Sequence, residues 1–259
     1  MQAEIAGTVI HFEQTGEGEK RVVILHGWGC SGALMKSAAE ALSPCMRVLT
    51  VDFPGFGESG RPPEPWGVPE YAEALRALLI RLDFLPCAAV AHSFGGRVAL
   101  WLAAHDPEMF DKLVITGGAG LKKPQTEEAR QRSAEFQRKK KTLQTVKKIP
   151  LLRGAAERAE EKLRLKYGSA DYNALDAEMR KTFVKVISLD LTDCLEQVKQ
   201  PTLLVWGDRD TETPLWMGQK MERTIPDAGL VVLEGGSHFA YLEQAPRFNA
   251  IVKTFLTGA

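Results

Sequence analysis

Apolar residues along the chain follow two different spacings. Some form short continuous runs, rich in valine, isoleucine and leucine and bounded by glycine, proline or aspartate, which is typical of buried strands. In chain order these runs are GTVIHFEQ, RVVILHG, RVLTVD, CAAVAH, KLVITGG, PTLLVWG and AGLVVLEGG. We predict that the first run is an antiparallel strand and that CAAVAH lies at the centre of the sheet.

Helical spacing dominates between these runs. The segment 70–83 has apolar residues at positions 74, 75, 78, 79 and 82, which places them on one face of an amphipathic helix. A helix is also indicated after CAAVAH, ending at Pro107, and another at FNAIVKTFL near the end of the sequence. The alternation predicts an α/β fold with a mostly parallel sheet and helices on both faces.

One long segment breaks this alternation. Between residues 122 and 197 no strand pattern occurs, and two stretches have helical character, TEEARQRSAEFQRKKKTLQ and NALDAEMRKTFVKVISLDL. In the second stretch, Leu175, Met179, Phe183 and Val186 fall on one helix face. We therefore predict a core of residues 1–121 and 198–259, interrupted by a helical cap at 122–197.

Charge separates the same segment from the rest of the chain. The 259 residues are 44% hydrophobic and 25% charged with a formal net charge of zero, as expected for a globular protein. Residues 121–199, however, hold 19 lysines and arginines against 12 acidic residues. We interpret the run RKKK, residues 138–141, as a solvated helix face, and expect neither nucleic acid nor a membrane as partner.

Targeting and metal-binding patterns are missing from the sequence. The N-terminal residues do not resemble a signal peptide, and no apolar stretch reaches the ~20 residues of a membrane span, so we expect a cytoplasmic protein. The four cysteines, Cys30, Cys45, Cys87 and Cys194, lack C-x-x-C spacing. We expect buried or half-buried thiols, with no metal and no organic cofactor.

The first candidate catalytic residue lies in the segment AAVAHSFGG. Ser93 stands between a predicted strand and a predicted helix, which is the setting that gives a G-x-S-x-G-like motif meaning, here A-H-S-F-G. Small residues at 91 and 95 permit a sharp turn that projects the hydroxyl, and Gly96 permits close packing of the helix on the sheet. The alternative is a glycine-assisted turn with an incidental serine.

A serine nucleophile needs a base, which an acid must orient. Among the five histidines we favour His238, in the glycine-rich loop EGGSH after the last strand. His11 and His105 suit surface or packing roles, His26 suits a loop anchor, and His92 points away from its neighbour Ser93 on the strand.

The orienting acid has two candidates in the sequence VWGDRDTETP. Asp208 and Asp210 both follow a predicted strand and both lie at the edge of the sheet where ligands of open α/β folds bind. Either aspartate could instead hydrogen-bond its own backbone in a turn.

Five motifs in order, VILHGWG, DFPGFGES, AHSFGG, GDRDTETP and GGSHFAYLEQ, resemble those of the α/β-hydrolase family. The resemblance covers nearly the whole chain and implies an eight-stranded sheet with the order serine, acid, histidine. The family pattern G-x-x-D maps onto Gly207 and Asp210 and so selects Asp210. By the same resemblance, the backbone N–H groups of Trp28 and Phe94 form the oxyanion hole.

The resemblance implies a serine hydrolase that cleaves carboxylic esters of small molecules. A carbon-carbon bond hydrolase of vinylogous diketones and an esterase for methyl esters on an acidic carrier protein are alternatives, because their motifs are similar and the last has a basic cap. A ligand receptor with slow turnover is the alternative of another class. Serine at the nucleophile position argues against dehalogenases and epoxide hydrolases, which use aspartate there.

Overall fold

A computed structural model describes residues 1–124 and 126–258 of the chain. Eight strands form one sheet in the order β1-β2-β4-β3-β5-β6-β7-β8, in which β2 pairs antiparallel with both β1 and β4 and all other neighbouring strands pair parallel. This confirms the predicted fold class. The strands are β1 Gln2–Ile5, β2 Thr8–Thr15, β3 Arg21–Leu25, β4 Arg47–Val51, β5 Cys87–His92, β6 Phe110–Thr116, β7 Thr202–Gly207 and β8 Ala228–Leu233.

Helices connect the strands and fill the long segment after β6. They are α1 Lys36–Leu42, α2 Val68–Arg81, α3 Phe94–His105, α4 Glu127–Val146, α5 Arg153–Tyr167, α6 Ala170–Ala174, α7 Ala177–Ser188, α8 Leu215–Thr224, α9 Ala240–Glu243 and α10 Ala245–Thr257. No helix in the described part of the chain is both long and apolar enough to span a bilayer.

The structure differs from the elements predicted from the sequence in four places. Strand β1 was not predicted, because only Ala3 and Ile5 of its four residues are buried. Helices α5 and α8 were not predicted either. The single helix predicted over 173–191 is divided, because Leu175 is extended and the Asp176 carboxylate accepts hydrogen bonds from the first amides of α7.

Alternate residues of the parallel strands build a core on each face of the sheet. On one face Val22, Val90 and Val205 pack with the apolar sides of α1 and α10. On the other face Trp206 lies fully buried against α8, where a side chain at Gly218 would come within 2.9 Å of the indole ring. Both faces of the sheet are therefore closed to water, as a parallel sheet requires.

The chain divides into two compact units, residues 1–121 with 184–259, and residues 122–183. The second boundary thus lies before residue 184, and not after 197 as the sequence suggested. Arg97 of α3 explains the difference, because its buried guanidinium donates hydrogen bonds to the carbonyls of Val186 (2.8 Å) and Leu189 (2.6 Å). These bonds and buried Leu191 and Leu195 tie the segment after residue 183 to the sheet unit.

Candidate active site

Ser93 occupies a strained turn at the carboxyl end of β5. Its φ of 50° and ψ of −108° make it one of three non-glycine residues with positive φ in the described chain. The conformation is held by hydrogen bonds from its N–H to the carbonyl of Thr116 (3.1 Å) and to its carbonyl from the N–H of Ala119 (3.0 Å). Strain of this kind costs about 1–3 kcal/mol and is typical of functional sites.

Gly95 and Gly96 are the two residues that make this turn possible. A Cβ atom at Gly95 would lie 2.6 Å from the carbonyl oxygen of Leu25, so any side chain there would collide with the end of β3. At Gly96 a Cβ atom would lie 3.0 Å from the side chain of Ile115. The glycines therefore allow α3 to start directly at the sheet, and Ser93 stands at its N-terminus.

His238 and Asp210 form a hydrogen-bonded pair in the loops after β8 and β7. Nδ1 of His238 lies 2.8 Å from Oδ2 of Asp210, whose side chain is fully buried while that of His238 is 13% exposed. Oδ1 of Asp210 also accepts hydrogen bonds from the amides of Glu212 and Thr213. The carboxylate thus has fixed donors on both oxygens and holds the imidazole with Nδ1 toward it.

The pKa of Asp210 is set by two opposing effects. Burial raises it, but the hydrogen bond to His238, its positive potential and the Thr213 donors more than offset burial and hold the pKa below the ordinary value. Asp210 is therefore ionised at neutral pH, which is the state that can stabilise a positive charge on His238.

The two aspartates in the sequence GDRD have different partners. Asp208 does not contact His238; its carboxylate accepts a hydrogen bond from the amide of Gly235 (2.7 Å) and so ties the loop that carries His238 to the end of β7. The same loop passes so close to β7 that a Cβ atom at Gly207 would lie 2.2 Å from the carbonyl oxygen of Gly236.

His92 links the serine turn to the histidine loop. Its ring is buried and packs against the ring of His238 with centroids 4.7 Å apart, and its Nε2 donates a hydrogen bond to the backbone carbonyl of His238 (3.1 Å). Burial lowers the pKa of His92 to about 3, so the ring is neutral. As the sequence suggested, His92 is not placed as a base, but its contact with the backbone of His238 was not foreseen.

His26 and Asp52 hold the two loops on the other side of the serine turn. Nδ1 of His26 donates to the carbonyl of Gly27 (2.7 Å), while its Nε2 accepts from the amide of Phe53 (3.0 Å). Burial lowers the pKa of His26, which fits a neutral ring that is donor and acceptor at once. Asp52 is buried and accepts hydrogen bonds from the amides of Gly32 (2.7 Å) and Glu58 (2.9 Å).

Trp28 and Phe94, the two residues whose amides the family resemblance selects, are neighbours. Their rings meet edge to face with centroids 5.3 Å apart. Phe94 is the first residue of α3, where amides lack partners within the helix and the helix dipole favours negative charge. The rings of Phe53, Phe56 and Tyr71 contact this pair, and Trp66 packs on Tyr71, which makes the region apolar.

Thr213, Asp52 and His92 are site residues that sequence reasoning did not identify. Thr213 Oγ1 lies 2.8 Å from Oδ2 of Asp210, 3.0 Å from the carbonyl of Gly117 and 3.2 Å from Nδ1 of His238. Each of the three lies within a motif that carries the family resemblance, but the motifs alone did not indicate the hydrogen bonds that these side chains make. Within the described residues, no group of three or more histidine, cysteine and acidic side chains could hold a metal ion.

Comparison with known proteins agrees with this geometry. The model of the α/β hydrolase fold family matches residues 20–245. A pimeloyl-[acyl-carrier protein] methyl ester esterase of Neisseria meningitidis is 30% identical over 92% of this chain and 94% of its own length. A 2-hydroxy-6-oxononadienedioate/2-hydroxy-6-oxononatrienedioate hydrolase of a Pseudomonas species is 27% identical, covering 98% and 94%.

A solved structure leads to the same family. The crystal structure of a hydrolase from Pseudomonas aeruginosa superimposes with a TM-score of 0.75 and 25% identity, covering 100% of this chain and 98% of that chain. The match of the family model, the two curated relatives and the sheet order together establish that this chain belongs to the α/β hydrolase fold family and is a hydrolase.

Proposed function

We propose that the protein is a serine hydrolase that cleaves carboxylic esters of small molecules, with Ser93, His238 and Asp210 as its catalytic residues. The observation that carries the proposal is the 2.8 Å hydrogen bond between His238 and the buried Asp210 carboxylate. The ring of His238 packs on His92, the residue immediately before the serine in the strained strand-to-helix turn. A packing role alone explains neither the positive φ of Ser93 nor the ionised partner of His238.

The proposed reaction has two halves. Oγ of Ser93 attacks the ester carbonyl carbon while Nε2 of His238 takes the hydroxyl proton; the tetrahedral intermediate then collapses, and His238 gives the proton to the departing alcohol. Water, deprotonated by His238, then attacks the acyl-enzyme; the second tetrahedral intermediate collapses, the acid leaves, and His238 returns the proton to Oγ of Ser93. Asp210 accepts the Nδ1 hydrogen bond throughout and stabilises the imidazolium.

Backbone amides stabilise the negative charge in both intermediates. We assign this role to the N–H groups of Phe94 and Trp28, whose side chains are in contact. Removing one such donor from a hydrolase costs about 2.7–4 kcal/mol of transition-state stabilisation. Substitution of the Phe94 side chain is expected to alter substrate fit and leave the amide in place.

Two alternatives use the same residues. The Neisseria relative is named for a methyl ester on acyl-carrier protein, and the Pseudomonas relative is named for a dienedioate and trienedioate. An esterase for carrier-bound methyl esters and a carbon-carbon bond hydrolase therefore stand beside the simple carboxylesterase. We also propose that the helical unit at 122–183 acts as the cap that selects the substrate.

The proposed setting is the cytoplasm. None of the four cysteines forms a disulfide, and burial raises the pKa of the Cys87 thiol to about 12, so this thiol is unreactive. A reducing compartment suits such a chain. We propose that no metal and no organic cofactor takes part in the reaction.

A fluorophosphonate probe tests the nucleophile. We expect labelling of Ser93, identified by mass spectrometry, and loss of both labelling and p-nitrophenyl acetate hydrolysis in Ser93→Ala. Undiminished ester turnover in a folded Ser93→Ala protein would contradict the mechanism. A panel of esters and vinylogous diketones then ranks the substrate classes, and a preference for diketones with negligible ester turnover would favour the carbon-carbon hydrolase.

A further inference from the structure

The hairpin of α4 and α5 ends in an exposed apolar tip. Between the two helices the chain reads KKIPLLRG, with a single 3₁₀ turn at Pro150–Leu152. Leu151 is 92% exposed, and Ile149 and Leu152 are 49% and 42% exposed. Leucine and isoleucine side chains grouped at a loop tip in water are unfavourable unless another phase or molecule covers them.

Basic residues surround this tip. Residues 136–156 contain seven lysines and arginines and not one acidic residue. Lys147 forms an ion pair with Glu160 of α5, which neutralises its charge. Lys148 and Arg153 flank the tip in the sequence and are exposed, and Lys141 is exposed within the last two turns of α4.

The two grooves of the hairpin differ in charge. One groove is lined by three glutamates, Glu157, Glu160 and Glu161, and by four lysines and arginines, so its charges nearly cancel. The other groove, of about 480 Å³, has an apolar floor at Leu143 and Leu163 and a rim of Arg138, Lys139, Lys162 and Lys166, with no acidic residue among the residues that line it. Lys139 is paired with Glu135; the uncompensated positive charge of the hairpin is concentrated on this side and at the tip.

In contrast to the expectation from the sequence that a membrane is not a partner, we propose that the α4–α5 hairpin docks on an anionic lipid bilayer. Ile149, Leu151 and Leu152 would insert among the headgroups, with the surrounding cations on the lipid phosphates. Apolar side chains next to a polybasic segment are the combination that binds such surfaces, because each signal alone is weak. Two copies of the tip would repel each other, which argues against self-association. An acidic protein surface would satisfy the cations but offers no apolar phase for Leu151.

Sedimentation of the full-length protein with vesicles tests the proposal. We expect at least tenfold stronger partitioning onto vesicles of equal phosphatidylglycerol and phosphatidylcholine than onto phosphatidylcholine alone, at about 0.1 M salt. Raising the salt to about 0.5 M should weaken the binding, because it screens the attraction to the phosphates.

Matched variants separate the tip from general effects of hydrophobicity and charge. Leu151→Ser should lower partitioning about tenfold or more, since one leucine no longer leaves water, and Lys148→Gln about fivefold. The controls are Ile80→Ser, which removes an apolar side chain of α2 that is 51% exposed, and Lys253→Gln on α10. Both controls should bind as the wild type does, and circular dichroism should show all four variants folded.

Three results would overturn the proposal. The protein could stay in the supernatant with both kinds of vesicle, or Leu151→Ser and Ile80→Ser could bind equally well. In the third result, the protein does not sediment with vesicles but binds immobilised polyglutamate, and Lys148→Gln weakens that binding. The tip would then be a contact site for an acidic protein. The assay is independent of hydrolysis, because Ser93→Ala should bind vesicles as the wild type does.

Discussion

Asp208 and Asp210 lie two residues apart and provide a matched pair of test sites. In Asp210→Asn the side-chain shape stays, but the amide no longer stabilises an imidazolium and favours the wrong tautomer of His238. We expect kcat for ester hydrolysis to fall about 10⁴-fold. Asp208→Asn keeps an oxygen that can accept the hydrogen bond from Gly235 and should stay within a few-fold of wild type. Equal losses in steady-state assays of the two variants would refute the assignment of Asp210.

His92 predicts how stability depends on pH. Its pKa is about 3 in the folded protein and about 6.5 in the unfolded chain, so the unfolded state binds more protons below pH 6.5. Stability is therefore complete above pH 6.5 and is lost as the pH falls toward 3. From pH 7 to pH 5 the loss from this one residue is about 2 kcal/mol.

Urea unfolding at pH 7 and pH 5 measures this effect. His92→Asn should reduce the pH-dependent loss by about 2 kcal/mol, whatever its effect on stability at pH 7. The exposed His105 supplies the control, and His105→Asn should keep the wild-type dependence. His26, whose pKa burial also lowers, leaves a remaining loss in the same direction. The assignment is wrong if His92→Asn loses as much stability as the wild type.

Residues with a proposed chemical role in the reaction were easier to predict from the sequence than residues that hold other site residues in position. Ser93 and His238 stand out because a nucleophile turn and a glycine-rich loop have recognisable neighbours, although choosing Asp210 over Asp208 needed the family pattern. Thr213 and His92 both contact His238, which lies 25 positions after Thr213 and 146 positions after His92 in the sequence. No local spacing encodes such contacts, since they exist only after the sheet has formed.

Glycine has opposite roles in the elements α3 and α5. Gly95→Ala places a methyl group 2.6 Å from the carbonyl of Leu25, so the serine turn must move away from β3. We expect a loss of about 1–3 kcal/mol or more in the free energy of unfolding, and lower activity. Gly154 lies in the first turn of α5, where a Cβ atom would meet a guanidinium nitrogen of Arg158 at 3.8 Å, an ordinary van der Waals contact. Gly154→Ala should therefore stabilise that helix by up to about 1 kcal/mol.

Thermal unfolding followed by circular dichroism separates the two outcomes. A lower midpoint for Gly95→Ala and an equal or higher midpoint for Gly154→Ala would support the packing argument. If both variants unfold at the wild-type temperature, the close approach of α3 to β3 is not a constraint on residue 95.

At the level of elements, the sequence predicts strands and helices that have a regular apolar spacing. It misses short strands, and it misses helix boundaries that are set by a capping side chain. The runs for β3 to β8 were recognised because they are apolar on both faces of the sheet. Strand β1 has four residues with two buried, too few to separate from a loop. The break between α6 and α7 depends on the side chain of Asp176, which a continuous helical pattern conceals.

On the scale of the whole molecule, burial is distributed unequally between the two compact units. The sheet unit contains nearly all of the fully buried apolar side chains, whereas Ala156, Leu163 and Met179 are the buried apolar side chains among the described residues of 122–183. The helical unit also carries 17 basic residues against 9 acidic ones. Little apolar burial and unbalanced charge both reduce the free energy that keeps these helices folded.

Native-state hydrogen exchange should therefore divide along the chain. We expect amides of α4 and α5 to exchange through local opening at a free energy several kcal/mol below that of β5 and β6, whose buried strands open only when the whole sheet unit unfolds. Peptides from 127–167 and 87–116, resolved by mass spectrometry, provide the comparison. Raising the salt should slow exchange in the first set more than in the second, because it screens repulsion among the basic residues. Equal protection in the two sets would mean that the helical unit unfolds together with the sheet, and that its sparse burial does not limit its stability.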